Sequence, residues 1–240
     1  MNSVPKVEGA LSSWAGQIGT NEIFLFVTGI GPRNAEICAR AALGLDDPVH
    51  PAQNGQARRP DAVLIIGLCG SLDAAIGEST TVSYSDCLCT DKNLPPISCS
   101  PSLTGQIINL LNSRNIECRP VVGISSSRVA TLKAEKLQLG ARGANVVDME
   151  SYPILSAANL AQLPAAVVRV VSDSLDREMP DFNRALRTDG EIDPLRVAGI
   201  ILGSPITTLK FLSASRNSTQ RLKEALELIL PRNFSGSGSL

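Results

Sequence analysis

The fold of this chain is decided by residues 146–173, VVDMESYPILSAANLAQLPAAVVRVVSD. A short apolar run over 145–149 meets an Ala-containing stretch of helix length over 151–161. A second apolar run follows over 165–171, made largely of valine. β-Branched residues in short runs on either side of a helical segment make a strand–helix–strand unit, the building block of a parallel sheet. Both strand ends carry acids: Glu150 closes the first and Asp173 the second.

Working outward, the same alternation recurs. Residues 23–28 (IFLFVT) read as a strand, ended by Gly29-Ile30-Gly31-Pro32, with a helix over 34–43 behind Pro32. Residues 62–67 (AVLIIG) are apolar on both faces, as a central strand must be. Further strands are expected over 79–85 and 119–125, with helices over 102–113 and 130–139. Beyond Asp173 the pattern changes to a polar loop over 175–183, a helix over 194–202 and a long helix over 206–230. Together these predict an α/β fold with a mostly parallel sheet, built as a single domain over 1–230. Its C-terminal helices lie in 194–230, and 231–240 form a flexible tail. Residues 46–60, which hold His50, read as a surface loop. No apolar strand is evident before Ile23.

Composition narrows the function. The chain of 240 residues has a formal net charge of −1, against the basic surplus of a phosphate-backbone binder. Aromatics make up only 3%, too few for the stacking platforms that grip single strands, so nucleic acid is not an expected partner. No apolar run approaches the roughly 20 residues of a membrane helix. The N-terminus lacks the apolar core of a signal peptide, and the six cysteines form no C-x-x-C pair, so a cytoplasmic protein with reduced, buried thiols is expected. Metal binding is not expected either: the only histidine is His50, and Cys87 and Cys89 have no ligand partners near them in sequence.

Several familiar motifs fail. Gly29-Ile30-Gly31 follows a strand, but position 34 is Asn34 where a dinucleotide fingerprint needs its third glycine. A Gly-Lys-Ser/Thr sequence is absent, which excludes a P-loop. A Ser-His-Asp or Cys-His arrangement has only the loop residue His50 to draw on. Chemistry is therefore left to carboxylates, hydroxyls, arginines and backbone amides. In open α/β sheets ligands bind beyond the carboxyl ends of the strands, which is where Glu150, Ser172 and Asp173 fall.

Three motifs in order resemble the nucleoside phosphorylase family, which includes purine nucleoside and uridine phosphorylases and the 5′-methylthioadenosine/S-adenosylhomocysteine nucleosidases. They are the glycine-rich Gly67-Leu68-Cys69-Gly70-Ser71-Leu72 followed by Gly77-Glu78, the acidic run Asp148-Met149-Glu150-Ser151, and Arg169-Val170-Val171-Ser172-Asp173. The resemblance spans about residues 23 to 173. It implies a three-layer α/β/α fold around a central mixed, mostly parallel twisted sheet, acting on the N-glycosidic bond of a purine nucleoside. Water or phosphate would be the second substrate, and no other cofactor is implied. A homodimer or higher homo-oligomer is implied too. Weaker similarities at 176–180, 188–193 and Ser204-Pro205 resemble the hopanoid-associated phosphorylases, which implies an adenine-type nucleoside with a large apolar 5′ substituent.

Carried onto these residues, the resemblance assigns roles that suit their chemistry. Glycosidic cleavage builds positive charge on the ribose, and Glu150 would bind the ribose hydroxyls and stabilise that charge. Met149 would pack on the sugar. Asp173, oriented by Ser172, would protonate the leaving base directly or through water. Cys69 and Gly70 would line base and sugar through their backbone, and Val129 would flank the base. Arg33, after the Gly31 loop, is the candidate phosphate ligand. Each has an ordinary structural reading as well: Glu150 as a helix-terminal acid, Asp173 as a turn cap, Arg33 as an exposed helix-start arginine. Arg169, inside an apolar strand, requires an acidic or carbonyl partner wherever it is buried.

Two alternatives stay open. One is a pyrimidine- or futalosine-type member of the same family. The other is a catalytically silent nucleoside-binding protein, suggested by the apparent loss of the family's first strand.

Overall fold

The structure, a computed structural model, describes residues 2–3, 10–46, 59–177, 179, 181–184 and 205–232. In chain order its strands are β1 (Asn2–Ser3), β2 (Ser12–Ile18), β3 (Asn21–Val27), β4 (Val63–Ser71), β5 (Thr81–Cys89), β6 (Ile97–Ser98), β7 (Cys118–Ser125), β8 (Val146–Asp148) and β9 (Ala165–Asp173). The helices are α1 (Pro32–Ala42), α2 (Pro101–Ser113), α3 (Lys133–Gly140), α4 (Ser151–Leu160) and α5 (Pro205–Ile229).

Six strands form the central sheet, in the order β6-β5-β7-β8-β4-β9. It is mixed. Parallel pairing dominates through the long β4–β9 and β5–β7 ladders, while β4–β8 and β5–β6 are short antiparallel contacts. The sheet also curls far enough for Thr81–Ser83 of β5 to pair with Val168–Val170 of β9, bringing two otherwise distant strands together.

β9 shows why the sequence reads as it does. Every one of its residues is buried. Side chains alternate across a strand, so Ala165, Val167 and Val171 enter one apolar cluster with Tyr152, Leu155 and Ala158 of α4. Ala166 and Val168 enter another, with Leu103, Ile107 and Leu111 of α2 and Ala225 and Ile229 of α5. Helices on both faces leave no solvent side, and a near-continuous valine run is the result. The three-layer α/β/α arrangement with a central mixed sheet is thus present.

The helix starts obey local rules. α2 begins with Pro101 behind Ser100, whose Oγ accepts from the Leu103 amide at 3.5 Å. α1 begins with Pro32 behind Gly31, which sits at φ 94°, a conformation that disfavours any side chain. α3 starts at Lys133, later than the sequence suggested, because Thr131 and Leu132 donate their amides to Glu135 and so form the cap.

A strand does precede Ile23, although it is not an apolar strand of the central sheet. β2 is a seven-residue strand that pairs antiparallel with β3 along its whole length. Its sequence, SSWAGQI, carries little strand signature because it has few apolar residues and most of it is only half-buried. With β1 the hairpin makes a separate three-stranded sheet, so β3 is not a strand of the central one. It is tied instead to the end of α5, where Asn21 Nδ2 donates to the carbonyls of Leu230 (2.9 Å) and Arg232 (2.6 Å). His50, the expected helix over 194–202 and most of the expected tail lie outside the described residues.

Leu155 anchors the helix that Glu150 begins, and it is 2% exposed. Leu155→Ala should cost about 2–5 kcal/mol through loss of buried area and the cavity left behind, read as a lowered urea midpoint at unchanged slope.

Candidate active site

The Gly67–Ser71 segment of β4 lies between the two acidic strand ends. Gly70 pairs with Val147 of β8 on one side and with Asp173 of β9 on the other, across a bulge at Cys69/Gly70. Its glycines make room for side chains. A Cβ at Gly67 would stand 2.2 Å from Arg169 Nη1, and one at Gly70 would stand 2.9 Å from Asp173 Oδ2. A side chain at Gly67 would therefore displace the Arg169 guanidinium, and one at Gly70 would crowd the Asp173 carboxyl group.

Around Arg169 is a buried charge cluster. The guanidinium is 4% exposed and reaches Asp148 Oδ2 at 3.4 Å and Glu150 Oε2 at 3.7 Å. It also donates to Ser151 Oγ at 2.9 Å and to the Leu68 carbonyl at 3.3 Å. The partners that a buried strand arginine requires are therefore present. Burial alone would lower the Arg169 pKa, but Asp148 and Glu150 outweigh it and hold the group firmly cationic.

Asp148 is the centre of this cluster. Its carboxylate accepts from Tyr84 Oη (2.9 Å), Ser125 Oγ (2.7 Å), the amides of Glu150 (3.1 Å) and Ser151 (3.0 Å), and the Ser151 hydroxyl. Burial would raise its pKa, yet Arg169 and these donors outweigh burial and hold it below the ordinary value. Asp148 thereby fixes the turn that presents Met149 and Glu150.

Glu150 sits just ahead of α4, and its Oε1 accepts from the Gly31 amide at 3.0 Å. This contact joins the turn before α1 to the acidic turn, although 119 residues separate them in sequence. Burial, aided by the nearby Asp148 charge, raises the Glu150 pKa above the ordinary value, while Arg169 opposes the shift. Met149 is half-buried, with its methyl group facing the same Gly31 position.

At the other strand end, Asp173 and Ser172 are 4% and 7% exposed. Ser172 Oγ lies 2.9 Å from Asp173 Oδ1 and 3.2 Å from the Cys69 carbonyl. Asp173 Oδ2 accepts from Lys136 Nζ at 2.5 Å, and Lys136 is fully buried. The sequence reading missed this lysine. It stands among exposed residues of α3, and nothing in its local pattern marks it as buried. Cys69 is 4% exposed, and burial pushes its thiol pKa well up, so it is a packing residue and not a nucleophile.

The remaining candidates are less central. Both backbone groups of Val129 are bound by Asn183, whose Oδ1 accepts from the Val129 amide at 2.8 Å and whose Nδ2 donates to its carbonyl at 2.9 Å. Arg33 is exposed in the first turn of α1, two residues beyond the amide that binds Glu150. All six cysteines are free and, apart from the half-buried Cys89, buried. Among the described residues no group of His, Cys, Asp and Glu forms a metal cluster, and no helix is long and apolar enough to cross a membrane.

The fold is α/β around a mixed central sheet, and buried carboxylates gather at the ends of two of its strands. Residues 4–191 match the phosphorylase superfamily, and the chain belongs to it as an enzyme acting on N-ribosyl bonds. No curated protein sequence matches it. Among solved structures it is similar to a mutant of the Helicobacter pylori 5′-methylthioadenosine/S-adenosylhomocysteine nucleosidase with 5′-methylthioadenosine in the active site. That match has a TM-score of 0.65 at 14% identity and covers 94% of this chain and 88% of the other. The nucleosidase of Campylobacter jejuni gives 0.64 at 12% identity, covering 94% and 89%. The futalosine hydrolase of Helicobacter pylori gives 0.60 at 17% identity, covering 90% and 87%.

Asp148→Asn leaves Arg169 without its main counter-charge and should cost about 3–5 kcal/mol at pH 7 by chemical denaturation. Because the folded-state pKa of Asp148 is depressed, its contribution is complete above about pH 4 and is lost as pH falls through the depressed value. The stability gap between the two proteins should accordingly narrow in acid.

Proposed function

We propose that this enzyme releases the base from an adenine-type purine nucleoside carrying a modified 5′ position. Glu150 binds the ribose hydroxyls, and Asp173 supplies the proton that the departing base requires. What carries the reading is the pairing of two different carboxylates on either side of the Gly67–Ser71 segment. One is Glu150, whose Oε1 is held by the Gly31 amide beside Arg169; the other is Asp173, flanked by Ser172 and Lys136.

The two environments suit two tasks. As the glycosidic bond breaks, its electron pair moves onto the base and positive charge develops on the ribose. A half-buried carboxylate facing that sugar acts more strongly than one in open water, because less solvent screens it. Met149 beside it offers an apolar, polarizable surface to the ribose. Asp173 completes the reaction by protonating a ring nitrogen, directly or through a water molecule. Water then captures the ribosyl cation in hydrolysis, or phosphate does so in phosphorolysis.

A futalosine-type substrate is the second reading, favoured by the fold similarity to a futalosine hydrolase. A catalytically silent nucleoside-binding protein is the third reading: among the described residues the central sheet has no strand ahead of β4, since β2 and β3 lie in the separate sheet, and such a protein would bind nucleoside without releasing its base.

Base release from methylthioadenosine, S-adenosylhomocysteine, a 5′-alkyl adenosine and futalosine, each with and without phosphate, tests these readings. Release from an adenosine derivative is expected. Release from futalosine alone would favour the second reading, and strict phosphate dependence would direct attention to Arg33. Asp173→Asn should lower kcat by about 10²–10⁴-fold while nucleoside binding persists. Glu150→Gln should both raise KM and lower kcat; an unchanged rate would remove it from the ribose site.

A further inference from the structure

The group facing Asp173 inside the protein is a lysine, which neither ribose binding by Glu150 nor proton transfer from Asp173 calls for. Lys136 is completely buried, and its ammonium donates to three acceptors: Asp173 Oδ2 at 2.5 Å, the Ser174 carbonyl at 2.7 Å and the Arg177 carbonyl at 3.1 Å. An ammonium has three N–H donors, and all three are used. Desolvating a lysine is costly, and an acid–lysine pair adds less stability than apolar residues filling the same space. The surroundings also fix where the carboxylate lies. Lys136 donates to Oδ2, the Ser172 hydroxyl lies within hydrogen-bond distance of both Oδ1 and the Cys69 carbonyl, and a side chain at Gly70 would crowd the carboxyl group.

We propose that Lys136 is a positioning residue for leaving-group departure, acting through Asp173; this rests on Asp173 being the acid of the proposed reaction. The glycosidic C–N bond breaks with its electron pair going to the base nitrogen. That nitrogen takes a proton from the Asp173 carboxyl group, or from a water molecule bonded to it. Asp173 is left as a carboxylate, and the Lys136 ammonium at Oδ2 stabilises that charge as it forms. Attack of water on the ribosyl cation releases a proton, which restores the acid. The lysine itself touches neither sugar nor base. Its effect is to hold Oδ2 in place and to face the carboxylate that remains once the proton has gone to the base.

The distinguishing consequence is a dependence on the leaving group. A purine needs a proton to depart, whereas the phenolate of a 4-nitrophenyl riboside does not. Lys136→Met should therefore lower kcat on the purine nucleoside by about 10²-fold or more. On the 4-nitrophenyl riboside the loss should stay within a few-fold, with KM for both little changed. Equal losses on the two substrates would overturn the proposal, since a purely structural lysine would harm both alike.

Lys136→Met leaves Asp173 buried and unpaired, so it risks misfolding. The paired variant Lys136→Met with Asp173→Asn removes both charges together and is compared with Asp173→Asn alone. Equal purine rates in these two are expected if the lysine acts only through Asp173. A further tenfold loss in the paired variant would assign Lys136 an independent role and overturn the proposal. If the wild-type enzyme releases no base from any nucleoside, the proposed function itself fails and this inference falls with it. A wild-type enzyme that is active, with losses independent of the leaving group, defeats the inference alone.

Discussion

A guanidinium sealed inside a sheet has to be met by negative charge, and in this protein Arg169 meets it with Asp148 and Glu150. Much of the architecture around the site follows from that requirement. Gly67 gives Nη1 its space, Ser151 and the Leu68 carbonyl take the remaining donors, and Asp148 turns back to hold the amides of Glu150 and Ser151. Tyr84 and Ser125, from β5 and β7, reach in to complete the Asp148 shell. A charge that would be prohibitively expensive alone becomes the centre of a network joining five neighbouring strands.

The second buried pair, Lys136 with Asp173, stands at the other side of the Gly67–Ser71 segment and draws on α3. The two units differ in their electrostatic surroundings. Around Glu150, burial makes the carboxyl group easier to protonate than an ordinary glutamate, against the pull of Arg169. Around Asp173, Lys136 donates to one carboxyl oxygen and the Ser172 hydroxyl stands beside the other. Each acid is rigid because its partners are themselves packed, and rigid polar groups stabilise developing charge without reorganising.

Much of this was legible along the chain. The valine run of β9 announced a strand covered on both faces, and α4 and α2 with α5 supply the two covers. Arg169 within that run foretold an acidic or carbonyl partner, and it has both kinds. Other features were hidden for physical reasons. β2 is half-buried and pairs only with its own hairpin, so its sequence carries little of the apolar signature that central burial imposes. Lys136 carries no local sign of burial, because the carboxylate that justifies it arrives from a strand 37 residues later. The glycines of β4 announced close approach, but what approaches is the protein's own Arg169 and Asp173.

The sequence by itself determined the alternation of strands and helices, the apolar faces, and the acids that end β8 and β9. These depend on periodicity and on strand-end chemistry, which neighbouring residues suffice to express. Tertiary structure alone decided which charges meet. The Gly31 amide on Glu150, Lys136 on Asp173 and Arg169 between Asp148 and Glu150 are contacts between segments far apart in the chain or on different elements. Electrostatic partnership depends on distance in space and on the water excluded between the groups, and neither is set until the sheet has closed and the helices cover it.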